Sequence, residues 1–419
     1  MDKQKQIIIS HPHGNANTRG AVYGIKLKGM LYRYVTSVVV FSHGFWHRLS
    51  RLPGLGVFVR KEYDDSIKDK TVCYPIKELG RQICGKLKLN CFTKHETGVF
   101  CTDKECEYID KKTATLLEHA KEKADAVYCY EDVALYTFRK AKVLNKTCIY
   151  DLPIGHWRAM RRLLDEERKK LPEWAITLGG FNDSDEKLAR KDEELRLADK
   201  IYVASGFTKW SLKDFPSTLA EIEVIPYGFP PVNSQRKYLP FKGRRIRVLY
   251  VGGLSQRKGI AYVFDAVKGL EENVELTVVG QGNIDGCPAL REALNNVNYI
   301  PSLPHGKILE LMATQDVFIF PSLFEGFGLV ITEAMSQGTP VITTSRTCGP
   351  DIITHGKDGW IVDAGTSEPI KVLLKEFIEN PSMLESAGRA AIQTAAQRPW
   401  CKYEEEIAES ICNFLNMEA

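Results

Sequence analysis

Arg257 and Lys258 stand side by side. Fixed cations of that kind take up charge that develops on a leaving anion. Arg257 brings a planar fork of donors and Lys258 a compact charge. Just ahead lie Gly252 and Gly253, where a missing side chain lets the backbone come close to a ligand. Glu325 and Glu333 form a second group, with Gly326 and Gly328 directly after the first glutamate. A helix opens beyond those glycines, and a helix start presents unpaired N–H donors to an anion. Its dipole contributes only about 0.3–1 kcal/mol to a nearby charge, so a departing diphosphate needs the two cations as well.

The elements that must position these residues read as a parallel sheet. Val317–Phe320 is a short bulky apolar run, a buried strand ended by Pro321 and Ser322. Residues 329–335 read as a helix stopped by Gly338, and residues 340–344 start the next strand. Ile246–Val251 is a continuous apolar strand that delivers the glycine pair and the cations. Residues 275–279 form a strand ending at Gly280, and residues 297–301 another. In such sheets the ligand crevice lies beyond the carboxyl ends of the strands.

The run Glu325-Gly326-Phe327-Gly328-Leu329, then Glu333-Ala334, then Gly338-Thr339-Pro340-Val341, resembles the donor-site motif of retaining GT-B glycosyltransferases, glycosyltransferase family four in particular. The resemblance is specific over roughly residues 243–400 and loose before residue 150. It implies an α/β chain of two Rossmann-like domains facing a central cleft. It implies transfer of a sugar, with retention, from a nucleotide-diphosphate sugar to a hydroxyl acceptor, in polysaccharide, lipopolysaccharide or other glycan assembly. By that likeness Glu325 holds sugar hydroxyls and Glu333 ribose hydroxyls. Amides from Phe327 to Leu329 hold sugar and diphosphate, and Arg257 and Lys258 hold the diphosphate. Ile300 ends the strand where backbone groups read the base. Gly14, Asn15 and Arg19 lie in the loop that reaches the phosphates from the acceptor side, without the adjacent glycine pair common there. A histidine usual near the transferred sugar has two stand-ins, Asp151 at the nearer position and His156 further along. Asp351 stands where glutamate is commoner. No divalent metal or other cofactor is expected. The partners expected are a nucleotide sugar and a glycan or lipid-linked saccharide, with no nucleic acid. An inverting reaction would need Asp151, Glu131 or His156 as base. A same-fold epimerase or hydrolase, and a non-catalytic sugar-nucleotide binder, are the rival classes.

A chain of 419 residues suits two domains. The expected division is 1–228, a linker over 229–242, a donor domain over 243–401, and a final helix over 402–419 that crosses back, with Trp400 at the crossing. Net charge is +4, yet residues 241–419 hold 16 Lys and Arg against 22 Asp and Glu, net −6, which leaves +10 for residues 1–240. The basic half fits an anionic acceptor or anionic lipid head groups. No apolar run approaches the roughly eighteen residues of a spanning helix, and residues 1–14 lack a signal-peptide core, so a cytoplasmic chain, at most peripheral on a membrane, is expected. Eleven cysteines without metal spacing read as free thiols.

Elsewhere the pattern predicts strands at 6–10, 35–41, 124–130, 148–150, 201–204 and 223–228, and a helix over 21–34. His11 and His13 read as surface-loop residues. Residues 42–95, including His43 to Arg48, are expected as helices and loops near the acceptor entrance. Asp132 is expected to cap a helix over 134–142, and Asp183-Ser184-Asp185 to cap the next strong helix rather than bind metal. The helix over 157–171 is basic and amphipathic, read as a core-facing stripe with a solvated outside.

Overall fold

Strands that are apolar along their whole length must be covered on both faces, and two sheets of this kind organise the chain. The computed structural model describes residues 4–42, 44, 47, 61–241 and 243–417. The first sheet is formed by β1 (Ile7–Ser10), β2 (Leu31–Thr36), β3 (Thr71–Cys73), β4 (Ala126–Tyr130), β5 (Thr147–Leu152), β6 (Lys200–Val203) and β7 (Glu221–Val224). Its order is β3-β2-β1-β4-β5-β6-β7 and every pairing is parallel. The second sheet holds β8 (Ile246–Val251), β9 (Val274–Val279), β10 (Asn298–Ile300), β11 (Val317–Phe320), β12 (Val341–Thr344) and β13 (Gly359–Val362). Its order is β10-β9-β8-β11-β12-β13, again parallel throughout.

Each sheet changes direction at one place, between β1 and β4 in the first and between β8 and β11 in the second. Loops beyond such a switch diverge and leave a crevice. The loops that follow β1, β8 and β11 are those singled out above.

The helix expected over 21–34 is Ala16–Leu27, and residues 31–36 are β2. The polar run up to Gly20 reads as loop, and Gly20 and Gly24 lie inside the helix. They are there for packing: a Cβ on Gly24 would sit 2.0 Å from the carbonyl oxygen of Glu404. The partner is the last helix, Trp400–Met417, which lies against Ala16–Leu27 in the first domain. Trp400 stacks on Tyr227, centroids 5.9 Å apart, and Phe229 donates its N–H to Arg398 at 2.9 Å, so the chain crosses back here.

Asp132 does not cap the next helix, which is Leu135–Val143 with Ala134 at its start. Asp110 does that work from a neighbouring helix, accepting from the N–H groups of Tyr136 and Thr137 at 2.8 Å each. Asp132 pairs with Arg190 at 2.6 Å, and Glu131 with Lys191 at 3.1 Å. Ser184 caps Asp185–Leu197 by accepting from Lys187 N. The helix Trp157–Lys170 buries Ala159, Leu163 and Leu164 and leaves Lys169 exposed. Of the stretch His43 to Arg48, only Gly44 and His47 fall among the described residues; residues 61–95 form a 3-10 turn, β3 and the helix Ile76–Lys86.

Candidate active site

A cleft of about 740 Å³ opens between the carboxyl ends of the two sheets. Gly252, Gly253, Arg257, Lys258 and residues 325–330 line it from the second domain. His13, Gly14, Asn15, Arg19, Lys61 and Arg81 line it from the first.

Arg257 and Lys258 sit in a single 3-10 turn after β8, with Ser255 capping the turn. Gly259 ends it at φ 70°, and a Cβ there would lie 2.1 Å from the carbonyl oxygen of Pro321. That close approach joins the loop after β8 to the loop after β11. Leu323 N donates to Arg257 O at 2.9 Å, and Arg257 Nη1 donates to Phe324 O at 2.8 Å. Glu325 Oε1 then lies 3.4 Å from Arg257 Nη1 and 3.2 Å from Ser322 Oγ, in direct contact with the Lys258 ammonium. The structure therefore brings the two cations and the first glutamate to one point. Burial, aided by neighbouring Arg257, pushes Lys258 down to about 6; the carboxylate of Glu325 acts against this and favours the charged form. Gly328 stands at φ 94° and opens the helix Leu329–Ser336, so the first amides of that helix face the cleft.

The wall from the first domain is built on His11. This residue was read as part of a surface loop, but it is buried. Its Nδ1 accepts from His13 N at 3.0 Å and Gly14 N at 3.1 Å. Burial, then His13 and Lys61, push it down to about 3, so the ring stays a neutral acceptor. Gly14 has φ 60°, and a Cβ on it would meet Tyr63 Oη at 2.5 Å. His13, likewise read as surface, lines the cleft and is lowered to about 4, mainly by burial. Beneath it Lys61 pairs with Glu78 at 2.8 Å, Arg81 reaches Glu105 at 3.2 Å, and Ser37 donates to Glu105 at 2.6 Å. His13, Glu78 and Glu105 are close enough together to form a metal set, yet both carboxylates already hold Lys61 and Arg81. Sequence reasoning missed this network. Its members come from five separate stretches with no motif spacing, among them the helices Ile76–Lys86 and Thr102–His119, and only the folded first domain assembles them.

Other residues named from the sequence are placed away from the cleft wall. Asp151 is 2% exposed inside β5, where it accepts from Tyr128 Oη at 2.6 Å, and burial raises it to about 7. His156 is fully buried at the start of the Trp157–Lys170 helix, its Nε2 3.3 Å from Asp192 and its backbone N–H on Ser211 Oγ. Asp192 also accepts from Trp157 Nε1 and Arg158, so it fixes that helix start as a unit. Gly280 lies behind the cleft, where a Cβ would come 1.8 Å from Gly252 O. Its N–H donates to Ile300 O at 3.1 Å, which occupies the Ile300 carbonyl. Glu333 lies further along Leu329–Ser336, 2.9 Å from His305 Nε2, with its carboxyl raised by burial.

The cleft also joins the halves. Ser205 and Thr208, in the first domain, both donate to the carbonyl oxygen of Gly326, Thr208 at 2.9 Å. A Cβ on Gly326 would lie 1.8 Å from Pro153 O. Gly206 N donates to both oxygens of Asp351 at 3.1 and 3.0 Å. Glu167 of the first domain accepts from Gln256 Nε2 at 2.6 Å and Tyr262 Oη at 2.7 Å.

Residues 232–394 match the family model described as glycosyl transferases group 1. The amylovoran biosynthesis glycosyltransferase AmsK of Erwinia amylovora is 25% identical over 194 residues, 42% of this chain and 47% of that protein. Glycogen synthase of Mycobacterium tuberculosis is 29% identical over 213 residues, 48% of this chain and 50% of that one. The chain spans about half the length of the curated relatives it matches. Among solved structures, sucrose-phosphate synthase from Thermosynechococcus elongatus aligns with TM-score 0.65 at 16% identity, covering 99% of both chains. Anabaena HepE in complex with UDP and glucose aligns with TM-score 0.60 at 16% identity, covering 97% of this chain and 99% of that one. The likeness runs the full length and shows the fold, which is the two-domain GT-B arrangement expected from the sequence.

Proposed function

We propose that this chain, whose residues 232–394 form a group 1 glycosyl transferase domain, moves a sugar from a nucleotide-diphosphate sugar to a hydroxyl of a glycan or lipid-linked acceptor. One observation carries the reading: Arg257, Lys258 and Glu325, from two different loops, meet at one point of the cleft opposite Gly14 and Asn15. The Glu325 carboxylate pairs with both cations. A diphosphate would take them over, and Glu325 would be released to accept from sugar hydroxyls. Charge on the departing diphosphate is then met by fixed donors that need no reorganisation. Backbone amides from Phe327 to Leu329 would hold the same group, and Glu333, once turned from His305, the ribose. The bound nucleotide in the HepE complexes supports this donor class.

The acceptor would approach between His13, Gly14 and Pro153, which line the opposite wall. Asp151 and His156, two of the bases an inverting reaction would need, lie outside the cleft lining. His13 lines the wall opposite Glu325, but a ring lowered to about 4 is a weak base. That favours retention, with the leaving phosphate taking the acceptor proton. The cations at Glu325 take the part of a metal ion, so turnover is expected to persist in EDTA. The test is incubation with a panel of labelled nucleotide sugars and saccharide acceptors, with product analysis. Transfer to a hydroxyl with the anomeric configuration kept supports the reading. Free sugar or an epimer as sole product assigns the cleft to hydrolysis or epimerisation instead, and binding without turnover across the panel assigns it to a non-catalytic binder.

A further inference from the structure

Thirteen large apolar side chains are exposed among the described residues, and six of them fall between residues 76 and 99. They are Ile76, Ile83, Leu87, Leu89, Phe92 and Val99, from 40% to 63% exposed. Ile76, Ile83 and Leu87 follow each other at intervals of seven and four, which is one face of a helix. The opposite face of the same helix, Ile76–Lys86, carries Glu78, Arg81 and Gln82 into the cleft. After the helix the chain folds back on it. Phe100 N donates to Phe92 O at 2.8 Å, Lys77 Nζ donates to Val99 O at 2.9 Å, and the Phe100 ring abuts Gly80. These contacts fold residues 76–100 into one local unit that bears all six side chains. So many exposed apolar groups on one small unit are uncommon unless something covers them.

Its charge says what. Residues 76–99 hold Lys77, Arg81, Lys86, Lys88 and Lys94 against two acids, Glu78 and Glu96, and Glu96 accepts from Ser184 N at 2.9 Å. Glu78 is turned inward onto Lys61 and Arg81. Lys88 and Lys94 make no ion pair with a carboxylate among the described residues. An apolar face ringed by lysines matches the boundary between acyl chains and anionic head groups, where each basic side chain adds to binding. The other basic helix, Trp157–Lys170, is no rival, because its apolar stripe is already buried.

We propose that the Ile76–Val99 surface docks the protein on an anionic lipid bilayer. The bilayer then lies beside the cleft wall that carries Arg81, so a lipid-anchored acceptor could enter without leaving the membrane; that consequence rests on the transfer reading above, while the docking does not. The test is cosedimentation with vesicles of equal phosphatidylglycerol and phosphatidylcholine, and with phosphatidylcholine alone, in the absence of nucleotide sugar. The full chain is expected to partition at least tenfold better onto the anionic vesicles. Ile83→Glu with Leu87→Glu is expected to lower that partition at least tenfold with an unchanged melting temperature, since both side chains are already in water. Lys88→Glu with Lys94→Glu is expected to weaken it and flatten its salt dependence. Equal partition of the apolar double variant and the parent overturns the proposal. So does a parent chain that ignores vesicles but forms a dimer that Ile83→Glu with Leu87→Glu abolishes, because the surface then belongs to a second copy.

Discussion

Lys258 is the side chain whose state depends most on what fills the cleft. Burial pushes it down to about 6 and contact with Glu325 counters that, so a diphosphate that displaces the carboxylate must itself hold the ammonium charged. Affinity for a nucleoside diphosphate is therefore expected to fall as pH rises above about 6, with proton uptake on binding. Titration calorimetry in two buffers of different ionisation enthalpy reads that uptake directly; heats that do not depend on the buffer would mean Glu325 keeps the lysine charged throughout. Glu325→Ala is expected to lower turnover by at least tenfold, far more than it lowers stability, because the carboxylate lines the cleft. Near-normal turnover in that variant removes its role. Asp151 makes a different kind of prediction. The folded chain holds its proton up to about 7, against an ordinary 3.8. Between those values the unfolded chain is the more ionised, so wild-type stability falls as pH rises. Asp151→Asn is expected to gain on wild type from pH 4 to 7 and then stay level, as followed by thermal unfolding across that range; a constant difference would contradict the buried neutral carboxyl.

The elements that carry the site were legible because apolar runs and breakers coincide there. Val317–Phe320 and Ile246–Val251 match β11 and β8 residue for residue, each bounded by glycine or proline. The first domain was harder. The first helix was placed late, because the polar run up to Gly20 reads as loop until the Trp400–Met417 helix is laid against Gly20 and Gly24, a contact between residues almost four hundred apart. His11 looks like a loop residue until its ring is seen to hold the loop. Asp151 and His156 lay close to the right strand end, but strand pleat and a helix start turned both inward, which spacing alone does not reveal. The Lys61–Glu78–Arg81–Glu105 network was invisible because no local pattern announces it. Two substitutions test these elements. Gly24→Val drives side-chain atoms into the Glu404 backbone, and overpacking of this kind costs roughly 1–3 kcal/mol or more; chemical denaturation is expected to show the loss, and full stability would mean the two helices separate freely. Gly14→Ala meets both a left-handed backbone and Tyr63. It is expected to lower turnover at least fivefold with little change in bulk stability, since the loop and not the sheet must give way.

At the scale of the molecule, two sheets of seven and six strands are tied at both ends of the cleft. Aromatic packing of Tyr227, Phe327, Trp400 and Tyr403 closes one end, with Tyr227 and Phe327 centroids 4.8 Å apart. Glu167 closes the other, buried between Gln256 and Tyr262. Removing one partner from a buried set leaves the rest unpaired, at a cost of about 1–3 kcal/mol for each such group. Glu167→Ala is expected to let the halves part, seen as a larger radius of gyration in solution scattering; an unchanged radius would show that the aromatic packing and the bonds to Gly326 and Asp351 keep the domains together without it. Gly326 gives this arrangement its consequence. Its carbonyl is held by two hydroxyls from the far half, so the loop proposed to grip the sugar rests in the other half's grasp. Any parting of the halves must break that handhold, and the same handhold re-formed over a bound molecule would shut the water out.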